Sequence, residues 1–402
     1  MPRAPPRYAE SAPSVIESEP MKLEEALEIA GWPKSLLAPE KRPDVVTDLR
    51  AFEKELLLQS HINRIVVLRD GVRRLGHGNA LPSQIIDAAK HETSVRRFLT
   101  RLGDDSALSE LRGRLYYTPP SDGEREESEI THDHTGEPLD TLAAKRAVLK
   151  DRDPEGGVYV GELRRASKYR HPQDGRFTKT LLSCGVCDWI GRKRALAMPY
   201  WDRYDEGVFV GGRFGGSPMH VDQVLWSNVG KTFAGYKLLV IWPYGAASQP
   251  LFDEHSYTLF VQPLSPSEVA TLERAACVAL LGPGDVVIFS GGNAHMALSV
   301  SNALSITAYE SFVNLHEANL RAFLDSGTPA QYRQCRTRQP TLDEIKLDVA
   351  ASLNDLAGAL EEDDLGDPEI EEAAPAALEL LRTDALIAEK VLPLRSKRRR
   401  PS

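Results

Sequence analysis

Residues 207–226 read GVFVGGRFGGSPMHVDQVLW: a β-branched and aromatic run, a glycine-rich turn, and a second run that carries a histidine and an aspartate. Val, Ile, Phe, Tyr and Trp favour strands, and Gly and Pro tend to end them. Similar runs recur on both sides of this stretch. Eight of them lie between about residues 157 and 314: VYVGEL, GVFVGGRF, SPMHVDQVLW, YKLLVIWPY, YTLFVQPL, DVVIFSGG, MALSVS and LSITAYESFV. So many short strands with little helix among them predict a sandwich or a barrel.

Helical patterns flank this β region. Leu23 and Leu27 are spaced by one helical turn, and similar apolar spacing predicts a helical N-terminal region over 21–118. The pattern returns over 316–392. The sequence therefore predicts an α+β protein, with a β region at 157–315 between a helical N-terminal layer and C-terminal helices.

The remaining segments are predicted from composition and turn signals. The proline-rich stretch 1–20 predicts a disordered tail, and the charged stretch 119–156 predicts a linker or surface insertion. One helix at 266–276 is expected to interrupt the strands. Residues 393–402 form a basic tail.

Charge and cysteine content exclude several classes of protein. The 402 residues include 49 basic and 58 acidic side chains, for a net charge of −9. This balance argues against direct nucleic-acid binding, which needs clustered Lys and Arg. No apolar run approaches the roughly 18 residues of a membrane span, so no membrane association is expected. The four cysteines fit a reducing compartment.

The C-terminal sequence RSKRRRPS (395–402) has two interpretations. It is either a nuclear-import signal or a solvated basic tail. The expected location is therefore nuclear or cytoplasmic.

The His-Val-Asp at 220–222 is the first candidate for chemistry. On a strand, residues i and i+2 project from one face, so His220 and Asp222 point the same way. Two imidazoles and one carboxylate form the facial triad of non-haem Fe(II) oxygenases, which leaves coordination positions open. A Pro-Gly-Asp turn, a buried strand and a Gly-Gly corner precede a further histidine, His295. The alternative is a hydrogen-bonded His-Asp pair with no metal.

Three stretches together resemble the Jumonji C (JmjC) family of Fe(II)- and 2-oxoglutarate-dependent oxygenases. They are GGSPMHVD, GYKLLVIWP and PGDVVIFSGGNAH, and the resemblance covers about residues 157–315. It implies a double-stranded β-helix, the jelly-roll or cupin barrel. It also implies Fe(II), 2-oxoglutarate as cosubstrate, and O2, with iron ligands at His220, Asp222 and His295.

The resemblance also implies the residues that contact the cosubstrate. Lys237, at the start of the GYKLLVIWP strand, matches the lysine that binds 2-oxoglutarate. Thr307 and Ser217 match positions that carry a hydroxyl near the cosubstrate. Asn228 matches an asparagine that contacts the cosubstrate, but its offset from His220 differs from the family pattern.

The function implied is hydroxylation of a protein side chain, with succinate and CO2 as co-products. A lysine demethylase of histones or other proteins is an alternative, although no zinc-finger cysteine array of a reader module is present. Two further alternatives are a non-catalytic cupin-like binding or scaffold protein, and a metal-dependent cupin enzyme that uses no ketoacid. The expected partner is a protein substrate such as a histone or a ribosomal or translation protein. The C-terminal helices make a homodimer a further expectation.

Three other motifs have ordinary explanations. Cys184-x-x-Cys187 is half of a zinc motif with no second half, and His132-Asp133-His134 lies in the polar insertion. Gly230-Lys231-Thr232 resembles the end of a phosphate loop, but Leu225 stands where that loop needs a glycine. No zinc or nucleotide site is predicted.

Overall fold

The computed structural model describes residues 20–77, 89, 91–92, 94–102, 111–117, 137–139, 141–142, 145–146, 157–165, 200–201, 207–327, 339–362 and 368–398. The strands are β1 (Asp44–Val46), β2 (Ile65–Leu68), β3 (Leu111–Tyr117), β4 (Glu137–Pro138), β5 (Val158–Arg165), β6 (Tyr200–Trp201), β7 (Gly207–Gly211), β8 (Gly216–His220), β9 (Ser227–Ala234), β10 (Lys237–Ile241), β11 (Cys277–Leu281), β12 (Val286–Ser290), β13 (His295–Ser299) and β14 (Ser305–Val313).

The α-helices are α1 (Leu23–Ala30), α2 (Leu49–Leu58), α3 (Val95–Leu102), α4 (Gln249–His255), α5 (Pro266–Glu273), α6 (Glu317–Leu324), α7 (Gln339–Glu362), α8 (Pro368–Leu381) and α9 (Ala385–Arg398). Short 3-10 turns occupy Lys34–Leu37, Pro39–Lys41 and Gly245–Ala247, and a π-helical turn occupies Arg73–His77. The predicted α+β class is confirmed. Among the described helices, none combines the length and the apolar character needed to cross a bilayer.

Two sheets contain these strands. The large sheet has the order β1-β2-β12-β9-β14-β7-β5-β3-β4, with β6 beside β14, and the small sheet has the order β11-β10-β13-β8. The pairing of β1 with β2 is parallel, and the other pairings are antiparallel. The two sheets are separate rather than closed into one.

The inner faces of the two sheets pack on each other. Val67 and Phe289 of the large sheet belong to one buried cluster with Leu239, Ile241 and Ala279 of the small sheet. Because side chains alternate along a strand, the residues at every second position of β9, β10 and β14 share this interior.

Helices cover both outer faces. Phe52 of α2, Phe98 of α3 and Leu353 of α7 lie in one buried cluster with Val210 and Ile306 of the large sheet. Leu27 of α1 lies in a second cluster on the outer face of the small sheet. Both faces of the central strands are therefore buried, and β9 and β10 are buried along their whole length.

Within residues 207–327, one predicted strand is absent from the structure, and two strands were not predicted. YTLFVQPL (257–264) is not a strand, because Tyr257 has a positive φ of 60° and turns the chain away. Its apolar residues cover the small sheet instead. CVALL (Cys277–Leu281) and SNVGKTFA (Ser227–Ala234), which are not among the predicted runs, are strands. Ser227–Ala234 was not predicted, because a glycine and a lysine within it are not typical of a buried strand.

The N-terminal region also differs from the prediction. Three strands, β1, β2 and β3, lie inside the stretch 21–118 that was expected to be helical. β2 pairs with β12 and so extends the large sheet. Its run Ile-Val-Val-Leu is short enough that apolar spacing alone cannot separate strand from helix.

Helix α5 matches its prediction closely. Its N-cap is Ser265, whose hydroxyl accepts from the backbone N–H of Glu268 at 3.2 Å. The Glu268 carboxylate accepts in return from the backbone N–H of Ser265 at 2.7 Å, which completes a capping box. The helix ends at Glu273, short of the predicted end at residue 276.

Candidate metal centre

His220, Asp222 and His295 meet at one edge of the small sheet. His220 ends β8 and His295 begins β13, and the two residues are direct partners across the strand pair. Their ring centroids are 4.2 Å apart. Oδ1 of Asp222 lies 3.8 Å from Nε2 of His220 and 3.9 Å from Nε2 of His295. One ligand atom from each residue lies within 4.8 Å of the others, so the group can hold a metal ion.

Backbone carbonyls fix both imidazole rings. Nδ1 of His220 lies 2.6 Å from the carbonyl oxygen of Pro218, and Nδ1 of His295 lies 2.9 Å from that of Asn293. Because a carbonyl oxygen only accepts, each Nδ1 carries the hydrogen. The lone pair of each neutral ring is then on Nε2, the atom that faces Asp222. This is the usual way in which a protein prepares histidines to bind a metal.

Asn228 holds the carboxylate of Asp222. Its Nδ2 donates to Oδ2 of Asp222 at 2.7 Å, and its Oδ1 accepts from the hydroxyl of Ser311 at 2.8 Å. The backbone N–H of Asp222 donates to the carbonyl of Gly291 at 3.0 Å. Asn228 was expected at the cosubstrate, and the structure places its amide on the carboxylate.

Electrostatics favour the neutral form of His295. Burial lowers its pKa well below the ordinary value, and the nearby His220 ring lowers it further. A neutral imidazole is the form that binds a metal. Two imidazole nitrogens and one carboxylate are a donor set that suits Fe(II), so the residues fit that ion.

A buried lysine lies on the same interior as the triad. Lys237 is the first residue of β10 and shares a strand face with Leu239 and Ile241, which lie between the sheets. It is fully buried, and its Nζ has no hydrogen-bond partner. Burial lowers its pKa to about 7.

Two threonine hydroxyls share this environment. Thr232 of β9 and Thr307 of β14 are partners across the strand pair, and both are fully buried. Neither Oγ1 has a hydrogen-bond partner. Ser311, at the other end of the same face of β14, reaches Asn228 and thereby the triad. Nζ of Lys237 and the hydroxyls of Thr232 and Thr307, which have no hydrogen-bond partner, therefore line the same interior as the metal ligands.

Tyr159 completes the surroundings of Lys237. Nζ of Lys237 lies 5.3 Å from the centroid of its ring, and its hydroxyl lies 3.0 Å from Oγ of Ser217. The structure thus places Lys237, Thr307 and Ser217 around the interior between the two sheets. The resemblance implied these residues as contacts of the cosubstrate. Thr232 and Tyr159 were missed. The inward position of Tyr159 in the predicted strand VYVGEL was the available signal for it.

Two of the weaker motifs, Cys184-x-x-Cys187 and His132-Asp133-His134, lie outside the described residues. Gly230-Lys231-Thr232 lies within β9 instead of a loop. The fully buried Lys231 there is 3.4 Å from the carboxylate of Glu310, which gives it a structural role.

We expect a Gly291→Ala substitution to weaken metal binding at least about tenfold, the low end of the cost of disturbing a ligand's support. A Cβ at this position would overlap Oδ2 of Asp222 and lie 2.7 Å from its Cγ, so the ligand has to move. Calorimetric titration with Co(II) measures the change. Gly212→Ala, whose Cβ meets nothing within 4 Å, is the matched control. Equal affinities for the two variants would contradict the expectation.

Comparison with known proteins adds little to this geometry. No protein-family model matches the chain, and no curated protein matches it. Among solved structures, the X-ray structure of E. coli ycfD is similar to 67% of this chain at 17% sequence identity, with a TM-score of 0.31. The match covers 55% of that chain, so this chain spans about half the length of ycfD. At this TM-score no activity follows from the similarity.

Proposed function

We propose that the protein is an Fe(II)- and 2-oxoglutarate-dependent oxygenase that hydroxylates a protein side chain. One observation supports this choice above the others: a fully buried lysine without a hydrogen-bond partner lies on the same interior as a His-Asp-His triad. A buried unpaired ammonium is costly, so its presence indicates an anionic ligand. A binding protein that held only a metal would not need it.

The strand order supports a double-stranded β-helix as the finer description of the fold. Along the chain from β7 to β14, the strands fall in the large, small, large, small, small, large, small and large sheet. This alternation between two facing sheets is that of a jelly roll, the architecture of cupins. Two of the metal ligands, His220 and His295, then lie on β8 and β13 of the small sheet, and Asp222 follows β8.

One end of 2-oxoglutarate lies at Lys237 in the proposed complex, and the other end lies at the metal centre. In this proposal the carboxylate at the far end of 2-oxoglutarate pairs with Lys237 and accepts hydrogen bonds from Thr232 and Thr307. The other end reaches the metal. With O2, a bound Fe(II) ion supplies the oxidising chemistry that hydroxylates a C–H bond and yields succinate and CO2.

The residues around the triad prepare it before any ligand arrives. The two imidazoles are held with Nε2 toward the centre, and Asn228 keeps the carboxylate of Asp222 turned toward them. Such preorganisation lowers the cost of binding, because the ligands need not search for their positions.

A protein substrate belongs to the proposal as well. The chain carries a net charge of −9, which complements a basic partner such as a histone or a ribosomal protein. We propose hydroxylation of one of its side chains.

The direct test is turnover of 2-oxoglutarate. Purified protein with Fe(II), ascorbate and 2-oxoglutarate is expected to release succinate, and addition of basic protein fractions should raise the rate. Mass spectrometry of those fractions then locates a gain of one oxygen. If the protein binds Fe(II) but releases no succinate with any fraction, the non-catalytic alternative is favoured. If turnover occurs but does not depend on 2-oxoglutarate, a metal enzyme without a ketoacid is favoured.

Binding of 2-oxoglutarate should depend on pH through Lys237. Burial lowers the pKa of this residue to about 7 in the free protein, so the ammonium is largely lost at higher pH. Pairing with a carboxylate restores the charge, and each binding event above pH 7 must then take up a proton. The Kd should be nearly flat from pH 6.5 to 7 and then rise about tenfold per unit.

Anaerobic titration of the Fe(II) protein with 2-oxoglutarate between pH 6.5 and 9 measures this dependence. Calorimetry in buffers of different ionisation enthalpy reports the proton uptake independently. A Kd that stays constant up to pH 9, with no proton uptake, would show that Lys237 is not the partner of the carboxylate.

A further inference from the structure

The segment between α2 and β2 contacts the turn that presents His295. The backbone N–H of Asn63 donates to Oδ1 of Asn293 at 3.0 Å. Nδ2 of Asn293 donates in return to Oδ1 of Asn63 at 2.7 Å. The two residues are therefore joined by a reciprocal pair of hydrogen bonds, although they are 230 positions apart.

Asn293 transmits this contact to the metal centre. Its side chain is fully buried, and its Nδ2 also donates to the carbonyl of Trp242 at 2.6 Å. Its own backbone carbonyl accepts from Nδ1 of His295 at 2.9 Å. The position of this carbonyl sets the direction of the imidazole, so whatever fixes Asn293 also fixes the ligand.

The conformation of Asn63 suits this contact. Its φ is +61°, in the left-handed region, where asparagine is among the few tolerated residues besides glycine. Its Oδ1 also accepts from the backbone N–H of Tyr244 at 2.7 Å, just beyond β10. One exposed side chain thus links the N-terminal segment, the end of β10 and the turn before His295.

A second residue holds the segment in place. Nε2 of His61 lies 2.8 Å from the carbonyl of Glu55 and therefore donates, so Nδ1 accepts from the hydroxyl of Ser227 at 2.6 Å. The backbone N–H of His61 donates to Oδ1 of Asn319 at 3.0 Å. These bonds anchor the segment to α2, β9 and α6, so Asn63 is held by a rigid support.

We propose that Asn63 is a positioning residue of the metal centre, acting through Asn293 on the imidazole of His295. The inference rests on the proposed metal site. Asn63 does not belong to the triad, and its effect is to keep the Asn293 carbonyl where His295 needs it. The N-terminal region is then part of the metal centre and not only a layer that covers the sheet.

Two substitutions at this position separate the side chain from the backbone. Asn63→Gly keeps the left-handed conformation but removes the amide. Asn63→Asp keeps an oxygen that accepts from Tyr244 and Asn293. Calorimetric titration with Co(II) is expected to show a Kd about tenfold higher for the glycine variant and a change of less than about threefold for the aspartate variant, which retains the acceptor.

Asn314→Ala is the matched control for a merely structural effect. Asn314 is a fully buried asparagine just beyond β14. Its Nδ2 donates to the carbonyls of Leu56 and Gln59 at 3.1 and 2.9 Å, so it also connects the N-terminal segment to the sheet. Its Oδ1 also accepts from Nδ2 of Asn319 at 2.7 Å, so its removal loosens the anchor of His61 as well. Because the Asn63–Asn293 pair is kept, the variant should lower the Tm and raise the Co(II) Kd much less than Asn63→Gly does.

The outcomes distinguish this inference from the proposed function. If the parent binds Co(II) and turns over 2-oxoglutarate while Asn63→Gly binds equally well, the positioning role is wrong and the function stands. If the parent binds no metal, both are wrong. If Asn314→Ala weakens metal binding as much as Asn63→Gly, the effect is general loosening, and the positioning role is again overturned. The visible spectrum of bound Co(II), which reports ligand geometry, should change in the glycine variant alone.

Discussion

A His220→Ala variant should lose Fe(II) binding and release no succinate from 2-oxoglutarate. The substitution removes one of three ligand atoms that lie within 4.8 Å of one another. Changes to the supporting residues of a metal site alone cost roughly 10–100-fold in affinity or activity, so loss of a ligand should exceed that range. Metal titration and a succinate assay on the same preparation measure both effects.

The control for this variant is another histidine outside the site. His255 of α4 is buried, and its Nε2 lies 3.0 Å from the hydroxyl of Ser267. His255→Ala should therefore change stability but not metal affinity. Retention of parental turnover by His220→Ala would remove the basis of the metal assignment.

A Lys237→Met variant should lose 2-oxoglutarate binding by at least about 100-fold, because a buried charge-assisted contact is worth several kcal/mol. The same variant should be more stable than the free parent. Lys237 is fully buried with no hydrogen-bond partner, so the folded protein bears the cost of its desolvation. A methionine of similar length removes that cost, on the order of 3 kcal/mol near neutral pH.

The pH dependence of the stability gain follows from the lowered pKa of Lys237, about 7 in the folded protein. Between that value and the ordinary lysine pKa, the unfolded chain binds more protons than the folded one, so the parent gains stability as pH rises. The difference in Tm between Lys237→Met and the parent should therefore be largest below pH 7 and shrink toward pH 10. Thermal unfolding of both proteins across this range measures it.

Lys231 is the control for this effect. It is as deeply buried as Lys237, but its Nζ lies 3.4 Å from the carboxylate of Glu310. Lys231→Met removes this partner of the Glu310 carboxylate. Breaking a buried ion pair costs roughly 3–5 kcal/mol, so the variant should be less stable than the parent. Two buried lysines, on strands that are consecutive in the chain but lie in different sheets, should thus change the stability in opposite directions. Destabilisation by both substitutions would mean that Lys237 has a partner in the free protein.

Local patterns predicted the parts of the site that depend on local geometry. Strand alternation predicted that His220 and Asp222 point the same way, and they meet at the site although β8 ends at His220. The turn before His295 was evident from Pro-Gly-Asp and Gly-Gly. Lys237 was implied by the resemblance that the nine-residue stretch GYKLLVIWP carries. These features arise within about ten residues of chain, which is the range that sequence patterns report.

The missed residues depend on register between distant strands. Thr232 matters because it pairs with Thr307, and Asn63 because its amide meets that of Asn293. Neither contact leaves a trace in spacing along the chain. The strand at Ile65–Leu68 was missed because its apolar run is too short to identify as a strand by itself, and its partner β12 lies far along the sequence.

That pairing of β2 with β12 has a consequence for synthesis of the protein on the ribosome. Ile65, Val66, Val67 and Leu68 are completely buried in the finished fold, yet they leave the ribosome long before Val286–Ser290 exist. At translation rates of roughly 5–20 residues per second, the intervening chain of more than 200 residues takes about 10–40 s to make. During this time the nascent chain presents an apolar, strand-forming segment that has only the three-residue strand β1 on one side and lacks β12 on the other. Exposed apolar segments of this kind are prone to aggregate, and the interior of the protein can close only when the last third of the chain has emerged.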